Sequence, residues 1–288
     1  MRKPDTIAKL NDEAAFNLML YSSEGSSTKG RNVLRQNMIS IVLAGEKEIF
    51  FDENPIYITP GRILLLAAGN YLHTERRPDS GCFTSIIIFF DSSFLSRLLK
   101  ENEGILDAQP ISHALIPKDE YLNGYSNLLQ QLLASGKEIS TQLQEIKIKE
   151  LLLYILAIEP AAIKGLLAGQ PQRTEAQKIR QVVEQNFMNG LSISDIAFLC
   201  NMSVSTFKRK FLHLYKTSPS KWMQQRRLEA AARLLQNKKD RPADIYLAVG
   251  YENHSSFSKA FKEYYGTPPK DYNGGPPLVK NDLLATGF

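Results

Sequence analysis

Apolar residues recur first in short runs. MISIVL (38–43), KEIFF (47–51), IYI (56–58), RILLL (62–66) and FTSIIIFF (83–90) are divided by Gly45, DENP (52–55), PG (60–61) and PDSG (78–81). β-Branched and aromatic runs bounded by such residues predict strands joined by turns. Their even spacing predicts an antiparallel barrel or sandwich from Val33 to Phe90. The period then lengthens. Leu95, Leu98 and Leu99 follow the capping candidates Asp91 to Ser93, and Leu122, Tyr125, Leu128, Leu129, Leu132 and Leu133 recur at helical spacing. A further helix is predicted over Gln142 to Ile158, its second half apolar on nearly every side. Such a helix needs cover on more than one face: either layers of its own domain enclose it or a second subunit meets it.

EPAAIKGLLAGQPQRT (159–174), with two Gly and two Pro, reads as an interdomain linker. From Glu175 to Tyr265 the pattern is almost wholly helical, and 273–288 reads as a loose tail.

Within this helical region the same phrase is written twice: FKRKFLHLYKTSPSKW (Phe207 to Trp222) and FSKAFKEYYGTPPKDY (Phe257 to Tyr272). Each closes a pair of short helices. In the first pair Ser192 is a cap with Asp195 at the third helical position, where a carboxylate suits the positive helix end. Ile193, Ile196, Ala197 and Cys200 form the inner face. Asn201 stands at the reversal, where a left-handed residue is needed, and Ser203 caps the second helix. There Phe207, Phe211 and Leu214 share one side, leaving Ser205, Lys208, Arg209 and Leu212 on the other. The second pair has Pro242 at a first helical position, Ile245 and Val249 inside, Gly250 at the reversal and Asn253 as cap. Phe257, Phe261 and Tyr264 or Tyr265 make its inner stripe; His254, Ser255, Ser258, Lys259 and Lys262 face outward. Ser220 to Gln236 predicts one long connecting helix.

A helix-turn-helix unit sets the outer face of its second helix in the major groove, where Arg and Lys donate to guanine and Ser or His meets other base edges. Two such units on one rigid helix suit adjacent grooves of one duplex, roughly 34 Å apart. Lys210, Lys216, Lys221, Arg226, Lys262 and Lys270 are the expected phosphate contacts, with Ser203 and Asn253 at the helix starts. A bundle of two antiparallel hairpins explains one such match, but not two with matching caps, reversals, aromatic stripes and outward bases.

Charge placement supports this division. The chain has 288 residues and a net charge of +5, and between Arg173 and Tyr272 17 Lys and Arg stand against 9 Asp and Glu, so the N-terminal region is mildly acidic. A basic region joined to an acidic one is expected when a single domain meets a polyanion. No apolar run approaches the roughly 20 residues of a membrane helix, and MRKPDTIAKLNDEAAF lacks the apolar core of a secretory signal, so a cytoplasmic location is expected. Cys82 and Cys200 lie far apart without metal-ligand spacing and read as reduced structural thiols.

Residues 174–272, above all VGYENHSSFSKAFKEYYGTPPKDY (249–272), resemble the DNA-binding domain of the AraC/XylS family of bacterial transcription regulators. The resemblance implies a seven-helix domain with two helix-turn-helix units, and places base reading on Ser205, Lys208 and Arg209 in the first unit and on His254, Ser255 and Lys259 in the second. Departures from the family pattern are Asn201 for Gly at the reversal, Tyr246 for a small residue, and Arg241, beside Asp240, for a Ser or Thr cap. The resemblance also implies an N-terminal cupin-like barrel for effector binding, dimerisation or both. GRILLLAAGNYLH (61–73) is similar to a strand-turn segment of such barrels, with Ala67 for the usual Pro and His73 one residue late. His73 and Glu75 share a strand face, but a metal needs a third ligand, and a turn-exposed histidine is expected.

The expected fold class is therefore α+β with two domains: a cupin-like β-barrel with flanking helices over 1–158, a linker over 159–174, an all-α domain over 175–272, and the tail. The expected function is a sequence-specific DNA-binding regulator, an activator by the resemblance. Its expected partners are double-stranded promoter DNA, RNA polymerase, a second copy of itself in a homodimer, and a small-molecule or protein effector of unknown identity and site. No membrane, cofactor, metal or catalytic group is expected. The rival class is a small-barrel enzyme fused to a helical domain, yet the strands supply no cluster of His and carboxylates, and no phosphate loop or nucleophile elbow appears.

Overall fold

The computed structural model describes residues 15–23, 27–50, 55–76, 81–100, 108–169, 173–236 and 242–278. Phe51, most of the DENP and PDSG turns, Asp240, Arg241 and the end of the tail lie outside them. The chain divides into two compact units, one before Arg173 and one from Arg173 onward.

In the N-terminal unit nine antiparallel strands among the described residues form two sheets. Strands β1 (Phe16–Ser23), β8 (Phe83–Phe90), β3 (Asn37–Ala44), β6 (Arg62–Leu66) and β9 (His113–Pro117) make the first, in that order. The second runs β2 (Ser27–Leu34), β7 (Gly69–Arg76), β4 (Glu46–Phe50), β5 (Ile56–Ile58). No strand pairing among the described residues joins the sheets, so the cupin-like barrel is not closed. Met38, Val42, Phe83, Ile87 and Phe89 of the first sheet meet Ile49, Ile56, Ile58 and Tyr71 of the second. The other face of the first sheet, with Ile39, Ile41, Ile86 and Ile88, is covered by helices. Burial on both faces is why FTSIIIFF reads as a continuous apolar run rather than an alternating one.

Four strands go unpredicted from the pattern: β7, which lies inside its sheet, and β1, β2 and β9. The last three are sheet edges. An edge strand pairs on one side only, so its sequence need not carry a long apolar run, and STKGRNVL is mostly polar.

The covering helices are α1 (Ser92–Lys100), α2 (Glu120–Ala134), α3 (Thr141–Ile158) and α4 (Pro160–Leu167). Asp119 caps α2, accepting from Leu122 N–H at 2.8 Å. Helix α3 resolves its apolar surplus in two ways: Ile148, Leu151, Leu152 and Ile155 are buried in its own unit, while Ile146, Leu153 and Ile158 are exposed. Helix α4 corrects the linker expected over 159–174. Ala162, Ile163 and Leu166 are buried against the same core, and Pro160 starts the helix at a position where a missing N–H costs nothing.

The C-terminal unit contains α5 (Glu175–Asn186), α6 (Ile193–Leu199), α7 (Val204–Tyr215), α8 (Pro219–Gln236), α9 (Pro242–Ala248), α10 (His254–Tyr265) and a 3₁₀ turn, Pro269–Asp271. The start of the tail is not loose: Leu278 N–H donates to Tyr264 O at 2.8 Å and Tyr272 OH to Gly275 O at 2.8 Å. No described helix is long and apolar enough to cross a membrane.

Candidate nucleic-acid interface

Local chemistry shapes both helix pairs. Ser192 Oγ accepts from Asp195 N–H at 3.2 Å and the Asp195 carboxylate accepts from Ser192 N–H at 3.1 Å, closing a capping box at the start of α6. The chain then reverses through Asn201 at φ 58°, and Ser203 Oγ accepts from Thr206 N–H at 3.2 Å to begin α7. In the second pair Gly250 reverses the chain at φ 81°, and Asn253 Oδ1 accepts from Ser256 N–H at 2.8 Å. Phe207, Phe211, Phe257 and Phe261 are wholly buried. With these rings inward, Ser205, Lys208, Arg209 and Leu212 of α7 and His254, Ser255, Lys259 and Lys262 of α10 are exposed.

Tyr246 meets His254 edge-on, with ring centroids 5.8 Å apart at 83°. Ser258 Oγ lies 3.4 Å from His254 Nδ1. The family departure at Tyr246 thus buttresses an outward side chain, a role that spacing in the sequence does not signal.

The expected phosphate contacts divide. Lys216, Lys221, Lys262 and Lys270 are exposed. Lys216 also ends α7 in the left-handed conformation, φ 55°, where Gly266 ends α10 at φ 80°. Ser203 and Asn253 use their side-chain oxygens as caps. Lys210 is ion-paired with Glu175 of α5. Arg226 needs correction: it bonds Glu184 at 3.1 Å and Glu229 at 3.3 Å and lies over the rings of Phe187 and Trp222. It clamps α8 to α5 through Glu184 and Phe187, partners from outside α8 that no local pattern signals.

The N-terminal unit holds a second constellation that sequence reasoning missed except for His73 and Glu75. Lys47 Nζ lies 3.4 Å from Glu75 Oε1, both side chains 2% exposed. Tyr21 OH and Ser23 Oγ donate to Glu75 Oε2 at 3.1 and 3.0 Å. His73 is buried on β7, not turn-exposed; a Cβ on Gly30, its cross-strand partner, would stand 2.2 Å from His73 Cε1. His73 Nδ1 lies 2.9 Å from Asn32 Nδ2, so Nδ1 accepts and the ring is neutral with its proton on Nε2. Nε2 is 3.8 Å from Glu75 Oε1, and no group of three potential metal ligands occurs among the described residues. The available signal was a charged residue, Lys47, in phase with buried Ile49.

Burial, and then the Lys47 charge, push the His73 pKa down to about 3. The unfolded chain, titrating near 6.5, therefore binds a proton that the folded chain refuses. The stability tied to this group is complete above about pH 6.5 and is lost as pH falls toward 3. Thermal melts of wild type and His73→Gln between pH 7 and 4.5 are expected to diverge, wild type losing up to ~1.4 kcal/mol more per pH unit. Parallel pH profiles would refute this assignment. Burial likewise raises the Cys200 thiol to about 12, which makes it inert near neutrality.

Residues 37–163 match the family model of the ExsA N-terminal regulatory domain, and residues 196–274 match a helix-turn-helix domain. The transcriptional regulator ExsA of Pseudomonas aeruginosa is 25% identical over 243 residues, covering 82% of this chain and 86% of that protein. VirF of Yersinia enterocolitica, a virulence regulon transcriptional activator, is 26% identical over 199 residues, covering 67% and 69%. These matches support the resemblance to the AraC/XylS family of transcription regulators. Among solved structures, ToxT of Vibrio cholerae aligns over 90% of this chain and 98% of its own at 14% identity and a TM-score of 0.38. The helix-turn-helix match begins inside α6, and α5 lies outside both matched regions. Yet α5 packs on α6 and α7, so it completes the first unit structurally.

Proposed function

We propose that this chain activates transcription by setting α7 and α10 into successive major grooves of promoter DNA. Ser205, Lys208 and Arg209 read bases in one groove and His254, Ser255 and Lys259 in the next, while Lys216, Lys221, Lys262 and Lys270 neutralise phosphates. The reading is carried by one observation: the two helices begin and reverse with equivalent geometry, bury equivalent aromatic pairs and present their bases outward. Arg209→Ala is expected to cost about 1–3 kcal/mol of specific binding and to relax base choice at one position. Lys216→Ala is expected to weaken all sequences alike and flatten the salt dependence. Gel-shift titrations at several salt concentrations separate the two. Equal loss of specificity in both variants would mean that the base-reading and phosphate-contacting roles are wrongly divided.

The N-terminal unit receives the controlling signal, from a small molecule or a protein, and the protein acts in the cytoplasm as a homodimer that engages RNA polymerase at the promoter. The exposed Ile146 and Leu153, seven residues apart on one face of α3, support self-association. Ile146→Glu with Leu153→Glu is expected to shift the protein from dimer to monomer in analytical ultracentrifugation without lowering its melting temperature. A dimer that persists in the double variant places the interface elsewhere.

A further inference from the structure

The two helix-turn-helix units are joined by more than the helix between them. Helix α5 ends at Asn186, and Phe187 and Met188 then run against the reversal of the second unit. Arg227, near the middle of α8, donates from Nε to Phe187 O at 2.5 Å. At the reversal, a Cβ on Gly250 would lie 2.6 Å from Met188 O and 3.2 Å from Arg227 Nε. Backbone from the first unit therefore touches backbone of the second, with a guanidinium packed beside the contact. The first side of the junction is itself held: Asn186 Nδ2 donates to Val182 O at 2.9 Å, and Asn189 Nδ2 donates to Asn186 Oδ1 at 3.0 Å. On the second side, Tyr251 N–H donates to Tyr246 O at 2.9 Å, closing the turn that carries Gly250.

A connecting helix alone fixes the distance between two units along its axis. It does not by itself stop one unit from rolling about that axis, and a modest roll would swing α10 out of the groove while α7 stayed seated. A contact away from the axis removes that freedom. We propose that Arg227 and Gly250 form a brace that fixes the angle between α7 and α10, and so determine which half-site spacing the protein accepts. Both act as positioning residues, without touching DNA, and the inference rests on the two-groove reading above.

The test uses full-length protein and duplexes carrying the site that wild type selects from random DNA. In a series of these duplexes the two half-sites are moved apart or together by one, two and five base pairs. Wild type is expected to lose ~10-fold or more in affinity on a shift of one or two base pairs, because each step also rotates the half-sites about the duplex. Arg227→Met is expected to bind the original spacing ~10-fold more weakly and to give a flattened spacing profile, while binding an isolated half-site as wild type does. Arg227→Lys, which keeps a half-buried donor, is expected to restore part of the preference. Gly250→Ala cannot hold the turn against Met188 O and is expected to flatten the profile as well, an independent check should Arg227→Met melt too low to assay. Variants that lose the same factor at every spacing, or that match wild type throughout, overturn the brace. A wild type indifferent to spacing overturns the two-groove reading instead.

Discussion

Lys47→Met is expected to destabilise the N-terminal unit by about 3–5 kcal/mol, because removing one partner of a buried ion pair leaves the other charge uncompensated. Lys47 on β4 stands directly opposite Glu75 on β7. Burial lowers the Lys47 pKa, and the carboxylate opposes that shift. The aromatic face of Phe83, 5.9 Å from Nζ, is the further favourable contact. Replacing both charges, Lys47→Met with Glu75→Leu, is expected to recover the larger share of the loss, since two desolvation penalties disappear together with one attraction. Recovery stays incomplete because buried Tyr21 loses its acceptor, at about 1–3 kcal/mol for a buried group left unpaired, whereas the half-buried Ser23 hydroxyl can turn to water. Urea unfolding of wild type, single and double variants measures this. A double variant no more stable than Lys47→Met would show that the unpaired Glu75 carboxylate carries no net desolvation penalty, contrary to the argument.

Phe211→Ala is expected to remove about 3–5 kcal/mol from the C-terminal unit and to abolish specific DNA binding. The ring is wholly buried and packs against Phe207, Tyr215 and Trp222 with centroids 5.6, 4.4 and 5.8 Å away. Trp222 belongs to α8, so the cavity opens at the joint between the first unit and the connecting helix. A loss of this size is a large share of the roughly 5–15 kcal/mol that stabilises a typical domain. The equivalent ring, Phe261, packs on Phe257, Tyr265 and Tyr272, and Phe261→Ala is expected to cost a similar amount. Calorimetry resolves the effect from the N-terminal transition. A drop below about 1 kcal/mol in both variants would remove the aromatic stripes from the core.

Several features of the interface are legible in the amino-acid order. The spacing places Asn201 and Gly250 at left-handed reversals, and both have positive φ. It makes Ser192, Ser203 and Asn253 caps, and each accepts the backbone N–H of the third residue on. The outward positions of α7 and α10 follow from which aromatics the helical period turns inward. Other expectations fail for a common reason. Arg226 looks like a phosphate contact because its neighbours in sequence are basic and polar, yet it is occupied by Glu184 and by two aromatic faces. Residues 160–167 look like a linker because Gly and Pro bracket them, yet Ile163 and Leu166 have a core to enter. His73 looks turn-exposed beside the AAGN turn, yet β7 lies between two other strands of its sheet.

Amino-acid order alone decided the features that depend on residues within about one helical turn: capping, chain reversal, the period that sorts inward rings from outward bases, and the division into an acidic and a basic region. These are short-range effects of backbone hydrogen bonding, glycine-like torsions and side-chain spacing, so they survive without knowledge of the fold. Tertiary structure alone decided which strands became edges, that Lys47, Glu75 and Tyr21 meet between two sheets, that Arg226 is already paired, and that Arg227 reaches the carbonyl behind α5. Those outcomes depend on groups far apart in the chain, and charge pairing and desolvation act through distance in space rather than position in sequence.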